Sequence, residues 1–400
     1  MKKVAIIGLG YIGFPTAAIV ADKGFQVLGV DINPAVVDAV NAGKMHIIEP
    51  GLDTVVKRAI ENGLLRATLK PESADVFLIV VPTPFLQNHF PDISYVESAT
   101  RSVIPFFKEG SLLIIESTSP VGTTEKMRDL IWKERPELKE KIHIAYCPER
   151  VLPGNAIYEL EHNDRVIGGI NKVSTQKAIE FYRLFVRGDL HPTNSRTAEM
   201  CKLTENSSRD VQIAFANELS MICDQADINV WELIDLANKH PRVNILQPGC
   251  GVGGHCIAVD PWFIVSDFPE QAQIIKRSRV TNDYKAEWCA DKALTACFQF
   301  ENKTGRTPVV ACMGLAFKPD IDDLRESPAM YIVSRIIAES RADVLVVEPY
   351  INSHKSFNLA NFNEAYNKAD IIVWLVRHKP FLTVHKQTKK IELDFCGLRK

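Results

Sequence analysis

The residues with the most chemical potential fall in three places. One is a glycine-dense segment carrying thiols, Gly249-Cys250-Gly251-Val252-Gly253-Gly254-His255-Cys256, followed by Asp260-Pro261. Backbone N–H groups beside a cysteine stabilise both a thiolate and an adjacent oxyanion, so Cys256 is a candidate nucleophile. Cys250 lies in the same segment, and spacing alone does not choose between the two thiols. Packing is the competing interpretation, since most cysteines are buried. Asp260-Pro261 would equally serve as an N-cap and N1 pair for a helix. Four glycines in six residues also predict a backbone that comes close to something bulky.

A second group is Lys202 and Asn206, spaced four apart and therefore on one face of a helix, with Arg209 as a third member. An amine and an amide projecting together could take the proton of an alcohol and hold the resulting oxygen, burial making the amine a usable base. Glu205 and Asp210 nearby fit a merely solvated face as well.

The third is Gly8-Leu9-Gly10-Tyr11-Ile12-Gly13, a GxGxxG directly after a strand pattern and opening a helix, with Asp31 18 positions after Gly13. The first glycine makes a tight turn, the second admits a pyrophosphate and the third lets helix and strand pack closely. A helix N-terminus there offers N–H donors and a positive dipole end. The Asp31 carboxylate can accept ribose hydroxyls and would repel a 2′-phosphate, which favours NAD over NADP. Lys318 and Arg325, on a loop after Gly314, could grip a diphosphate, although Asp320, Asp322, Asp323 and Glu326 could neutralise them. His240-Pro241-Arg242 adds another possible anion contact. No Cys or His spacing suits a metal, and none is expected.

Elements must hold these residues. Val4–Ile7, Gln26–Val30, Val76–Val81, Leu112–Ile115 and Ile142–Ala145 read as strands, and an amphipathic helix is predicted from Pro15 to Lys23. Strands separated by helices predict a parallel, doubly wound sheet whose ligands sit beyond the carboxyl ends of the strands. Ala198–Ile222 lacks Gly and Pro and reads as one long helix within a helical stretch. The last hundred residues echo the first: Thr307–Val310 then Gly314, Asp343–Val347 then Glu348, and Ile371–Val376. The expected fold is α/β, two doubly wound Rossmann-like domains joined by a central helical dimerisation region. Its boundaries are 1–194, 195–296 and 297–400.

With 400 residues the chain exceeds what one core usually organises. Forty-seven basic against 49 acidic residues give a net charge of −2, which argues against a nucleic-acid surface. No apolar run reaches membrane-spanning length, and the glycines at 8, 10 and 13 interrupt what faintly imitates a signal peptide. Nine scattered cysteines suit a reducing compartment, so a cytoplasmic protein is expected.

Five stretches in order, Glu116–Gly122, Cys147–Gly154, Thr197–Asn206, Gly251–Pro261 and Gly314–Lys318, resemble those of the UDP-glucose/GDP-mannose dehydrogenase family. The resemblance runs from Val4 to about Val376. It implies a four-electron oxidation of a nucleotide sugar's 6-hydroxymethyl to a carboxylate, with two NAD⁺ consumed. By resemblance Cys256 is the nucleophile, while Lys202, Asn206 and Asp260 are the base, oxyanion-stabilising and water-handling groups. Thr118 and Glu149 order water and assist thioester hydrolysis. Gly8, Gly10, Tyr11, Ile12, Gly13, Asp31, Thr83, Thr124 and Arg325 bind the cofactor. Arg150, Val151, Arg209, His240, Arg242, Gly253, Phe317 and Lys318 contact the UDP-sugar, some across a homodimer interface.

UDP-glucose enzymes of the family usually carry Ser before the nucleophile and Pro-Lys-Asp after it. Here His255 precedes Cys256, and Ala258-Val259-Asp260 follows. This looks like the N-acetylhexosamine branch, so the expected substrate is UDP-N-acetyl-D-mannosamine, oxidised to its uronate for surface polysaccharide. UDP-N-acetylglucosamine and UDP-glucose are alternatives. Cys396 stands where the family tends to have a lysine, in Asp394-Phe395-Cys396-Gly397. A two-electron hydroxyacid dehydrogenase could use the same Lys–Asn pair without needing Cys256, and an NAD-sensing protein would need none of the three.

Overall fold

The structure is a computed structural model that describes residues 2–47, 49–86, 90–151, 154–384 and 389–399. Leu152 and Pro153, within the Cys147–Gly154 stretch, lie outside the described residues. The chain forms two compact units, Met1–Glu205 and Asn206–Lys400.

In the N-terminal unit, β1 (Lys3–Ile7), α1 (Gly13–Asp22), β2 (Gln26–Val30), α2 (Pro34–Asn41), α3 (Leu52–Glu61) and β3 (Leu65–Thr68) come first. Then follow β4 (Val76–Ile79), α4 (Ser94–Val103), β5 (Leu112–Ile115), α5 (Thr123–Glu134) and β6 (His143–Tyr146). α6 (Ala156–His162), β7 (Arg165–Gly169), α7 (Lys172–Tyr182) and β8 (Leu190–Asn194) close the unit. The eight described strands form one sheet in the order β3-β2-β1-β4-β5-β6-β7-β8. It is parallel except where β6 meets β7.

Continuous apolar runs suit such a sheet because both faces are covered by helices. Val4, Ile6, Leu78 and Ile114 pack on one side with Phe14, Leu52 and Tyr182. Ala5, Ile7, Phe77, Ile79, Leu113 and Ile115 pack on the other with Val96, Val103, Met127 and Ile131. The alternation is the period-2 geometry of a strand. Strand order reverses at β1 and β4, so the loops leaving those strands diverge and open the crevice where such sheets bind ligands.

Two expectations are corrected here. α1 starts at Gly13, not Pro15, and is not amphipathic: every residue from Gly13 to Ala21 is buried, because the helix lies between the sheet and its neighbours α3 and α6. The strands β3, β7 and β8 add to those predicted: β3, Leu-Arg-Ala-Thr, alternates buried with more open positions but is only four residues long, and β8, Leu-His-Pro-Thr-Asn, is largely solvated.

α8 (Ser195–Gln225) is the predicted long helix, extended by three residues at each end, and its sequence continues past Glu205 into the second unit. The C-terminal unit adds α9 (Val230–Ala237), α10 (Asp260–Asp267), α11 (Gln273–Thr304), β9 (Val309–Met313) and α12 (Pro328–Glu339). It ends with β10 (Asp343–Val347), α13 (Phe362–Lys368), β11 (Ile371–Trp374) and β12 (Ile391–Asp394). Its four described strands are parallel, in the order β10-β9-β11-β12. Val310, Cys312, Ile371 and Val373 face Ala290, Ala293 and Ile332, while Met313, Ile372 and Trp374 face Tyr366 and Phe381.

The internal echo is physical. Gly8 and Gly314 both have φ of +99° after the first strand of their sheets. Asp31 accepts the Leu9 N–H at 2.9 Å, and Glu348 accepts the Leu315 and Ala316 N–H groups at 2.7 and 3.0 Å. The likeness stops there. Glu348 is buried against His378 at 3.1 Å, and the next helix begins only at Pro328. No ribose-accepting carboxylate is therefore presented at this second turn.

Candidate active site

In the N-terminal unit the glycine turn is built as its spacing requires. A Cβ on Gly8 would collide with the Val80 carbonyl, and one on Gly13 with the Gly8 carbonyl. A Cβ on Gly10 would meet no heavy atom within 4 Å, so this glycine borders open space. Tyr11 is exposed and Ile12 is the residue before α1. Asp31 lies at the end of β2, its carboxylate fixed by the N–H groups of Leu9 and Asn33, both at 2.9 Å. An open Gly10, a helix N-terminus free of acidic residues in its first turn and an anchored carboxylate fit a dinucleotide.

Asp31→Asn should therefore raise the ratio of NADP⁺ to NAD⁺ turnover (kcat/KM) about tenfold to a hundredfold, the equivalent of losing a charged hydrogen bond of about 1.5–3 kcal/mol. Steady-state rates with both cofactors check this, and an unchanged ratio contradicts it.

Past β4 and β5, the Thr83 hydroxyl donates to the Thr118 carbonyl at 2.6 Å, tying the two carboxyl-end loops together. Thr124 is fully buried. Its hydroxyl and N–H both donate to Glu199 of α8, at 2.6 and 2.8 Å, and Gly122 N–H donates to the same carboxylate at 2.6 Å. Burial raises the Glu199 pKa against the pull of these bonds. The cluster pins the start of α5 to α8, and spacing in the sequence gave no sign of it.

The Lys202 ammonium donates to the Glu149 carbonyl at 2.7 Å. Arg150, the next residue, is ion-paired with Glu205 of α8 and donates its Nη1 to the Asp164 carbonyl at 3.3 Å. Val151 packs partly buried against the core. The structure thus brings Lys202, Glu149 and Arg150 together at the carboxyl end of β6. The backbone of Glu149 thereby fixes the Lys202 ammonium, while its carboxylate accepts the Arg150 N–H at 2.6 Å.

In the C-terminal unit, Asn206 and Asp260 are both buried and joined, Nδ2 donating to Oδ2 at 2.5 Å. Asp260 is the first residue of α10 and not its N-cap, which is Val259. Its carboxylate is engaged by Asn206, so the capping interpretation is replaced by a positioned side chain. The Cys256 carbonyl accepts the N–H groups of Val259 and Asp260 at 3.1 and 2.8 Å, which turns the chain into α10.

The two thiols differ sharply. Cys256 is exposed, whereas Cys250 is buried and donates to the Leu375 carbonyl at 3.3 Å. The neighbouring Cys289 and burial push the Cys250 thiol well above its usual range. Of the two, Cys256 is the thiol open to solvent.

The bulky partner of the glycines is the protein itself. A Cβ on Gly253 would press on Phe317, Pro328 and the Glu326 carbonyl, and one on Gly254 on the Phe317 ring. Gly254 N–H donates to the Arg325 carbonyl at 3.0 Å. The loop that carries Cys256 is therefore clamped to the segment that carries Phe317, Lys318 and Arg325.

Arg325 is gripped by Asp323 at 2.6–3.0 Å, so one of the four nearby acids does neutralise it. The Lys318 ammonium stands 5.8 Å from the Phe317 ring centre. Burial and then Arg325 lower the His255 pKa from its ordinary value. Arg209, His240 and Arg242 are exposed, and Arg242 N–H donates to the His240 ring at 3.3 Å. The Cys396 thiol lies against Asp394, and burial pushes it up, while the Arg377 guanidinium donates to the neighbouring Gly397 carbonyl at 3.1 Å.

A doubly wound sheet with this glycine turn and anchored carboxylate defines a dinucleotide-binding oxidoreductase. Three consecutive stretches match one family: its NAD-binding domain at residues 2–186, its central domain at 196–284 and its UDP-binding domain at 311–395. The UDP-N-acetyl-D-mannosamine dehydrogenase of Escherichia coli K12 is 54% identical, the match covering 96% of this chain and 95% of that one. The NDP-N-acetyl-D-galactosaminuronic acid dehydrogenase of Ralstonia nicotianae is 50% identical, covering 99% of this chain and 96% of that one. A solved structure of the UDP-N-acetyl-mannosamine dehydrogenase of S. aureus superposes with a TM-score of 0.89 at 39% identity, covering 100% of this chain and 96% of that one. The chain belongs to the UDP-glucose/GDP-mannose dehydrogenase family. It is an NAD-dependent UDP-sugar dehydrogenase.

Proposed function

We propose that the protein oxidises UDP-N-acetyl-D-mannosamine to UDP-N-acetyl-D-mannosaminuronate, a precursor of surface polysaccharide, through intermediates covalently held on Cys256. What carries this most is the exposure of Cys256 just ahead of α10, whose Asp260 is bonded to Asn206. Bound NAD⁺ supplies the hydride acceptor. Gly8, Gly10, Tyr11, Ile12, Gly13, Asp31, Thr83, Thr124 and Arg325 hold it.

Lys202, as its neutral amine, takes the alcohol proton, and Asn206 with Asp260 steadies the oxygen. The Cys256 sulfur attacks the aldehyde carbon, so a thiohemiacetal retains what would otherwise diffuse away. A second oxidation makes a thioester, and Thr118 with Glu149 order and activate the water that cleaves it. Arg150, Val151, Arg209, His240, Arg242, Gly253, Phe317 and Lys318 bind the UDP-sugar.

The enzyme works in the cytoplasm. We further propose three domains, 1–194, 195–296 and 297–400, with a homodimer through the central helical one. Exposed Phe215, Ile222 and Leu236 on α8 and α9 support the pairing. Among the described residues no helix is long and apolar enough to cross a membrane.

The test offers UDP-N-acetyl-D-mannosamine, UDP-N-acetyl-D-galactosamine, UDP-N-acetylglucosamine and UDP-glucose side by side with NAD⁺. The mannosamine sugar should give the highest kcat/KM and two NADH per sugar. The galactosamine sugar stands as a second reading because of the Ralstonia relative. If only UDP-glucose reacts, the substrate assignment is wrong.

A further inference from the structure

Beneath the loop that carries Glu149, the N-terminal unit seals in an unbalanced set of charges. Arg165, the first residue of β7, is 3% exposed, and Glu116, just past β5, is 2% exposed. The guanidinium Nη1 lies 3.5 Å from a Glu149 oxygen and 4.0 Å from a Glu116 oxygen. Its Nη2 donates to the Leu160 carbonyl at 3.3 Å. The Tyr182 hydroxyl of α7 donates to Glu116 at 2.5 Å, and the Tyr182 ring lies under the guanidinium at 4.9 Å. Cys147, at the end of β6, is 4.0 Å from Nη1. Arg165 Nε and Glu116 Oε2 have no hydrogen-bond partner among the described residues.

One cation therefore faces two carboxylates, Glu116 buried and Glu149 largely so. Such a grouping is costly unless it is fully compensated or one member takes a proton. Cys147 does not relieve it, because burial pushes its thiol up to about 12. Tyr182 does not either, its phenol being raised chiefly by burial.

We propose that Arg165 and Glu116 are positioning residues for Glu149, Arg165 fixing its carboxylate and the proton on Glu116 deciding whether that guanidinium serves Glu149 alone or is shared. This inference rests on the role proposed above for Glu149 in thioester hydrolysis. In that step water oxygen bonds to the thioester carbon, the C–S bond breaks and sulfur leaves as the Cys256 thiolate. One water proton passes to Glu149, and the other is released as the new carboxylic acid ionises. A second negative charge on the shared guanidinium favours proton transfer to Glu149.

Hydrolysis should therefore speed up as Glu116 loses its proton. Burial first, opposed by Arg165 and reinforced by the Glu149 charge, lifts the Glu116 pKa to about 7, so the change falls within the physiological range.

The test mixes the full-length protein with UDP-N-acetyl-D-mannosamine and excess NAD⁺, quenches with acid and follows loss of the uronyl adduct by intact mass, from about pH 5.5 to 9. In the wild type, adduct loss should rise with pH about a midpoint near 7. Glu116→Gln, a near-isosteric neutral group, should give a flat profile and clear the adduct about tenfold more slowly at the alkaline end. Tyr182→Phe removes a bond that holds the Glu116 carboxyl down, so its midpoint should move to higher pH. If Glu116→Gln fails to fold, the Tyr182→Phe shift decides alone. A wild-type midpoint retained in the folded variants overturns the inference. A wild type that forms no adduct overturns the function itself and this inference with it, so the two failures are distinct.

Discussion

Cys256→Ala is expected to cut uronate formation by about 10⁴-fold or more, the scale on which loss of a nucleophile is felt. Five of the nine cysteines (Cys147, Cys223, Cys289, Cys297 and Cys312) are buried outside the Gly249–Cys256 segment. Cys250, six residues from Cys256, is buried too and donates to a backbone carbonyl. Cys250→Ala should therefore still yield two NADH per sugar, whereas Cys256→Ala should not. Cofactor affinity should be unchanged in Cys256→Ala, because Cys256 is not among the residues proposed to hold NAD⁺. Uronate assayed chromatographically in both variants checks this. Full output from Cys256→Ala contradicts it.

The second large effect is expected at Lys202. Lys202→Met keeps most of the side chain's length and removes the ammonium, and it should slow the first hydride transfer by about 10²–10⁴-fold. A 2.7 Å bond from the ammonium to the Glu149 carbonyl fixes its position, so the loss should fall on kcat far more than on KM. Stopped-flow absorbance of nascent NADH separates this step from later hydrolysis. An unchanged first-turnover rate would remove Lys202 from the role of base.

Much of the fold was legible because both sheets are built from short runs buried on two faces. Gln26–Val30, Leu112–Ile115 and Asp343–Val347 have the bounds predicted for them, each built on a short apolar run. The glycine turn was legible for a steric reason, since Gly8 and Gly13 occupy positions where a Cβ would strike a carbonyl oxygen. β7 and β8 were not legible, because β7 offers only Val166-Ile167 before two glycines and β8, Leu-His-Pro-Thr-Asn, has no apolar run.

The glycines at 253 and 254 were rightly read as a close approach, but the sequence does not say to what. Their partner Phe317 is some sixty positions away and reaches them only through the tertiary fold. The same holds for Glu199 of α8, bonded to the start of α5, and for Arg165 between two carboxylates. Each is an ordinary charged residue in sequence, and its burial depends on elements far along the chain.

The most direct test of the covalent claim is peptide mapping of wild-type protein quenched during turnover with UDP-N-acetyl-D-mannosamine and NAD⁺. The sugar-derived mass should sit on the peptide containing Cys256, with two NADH released for each uronate formed. The same two NADH with Cys256 unmodified, or with the mass on another residue, would contradict it.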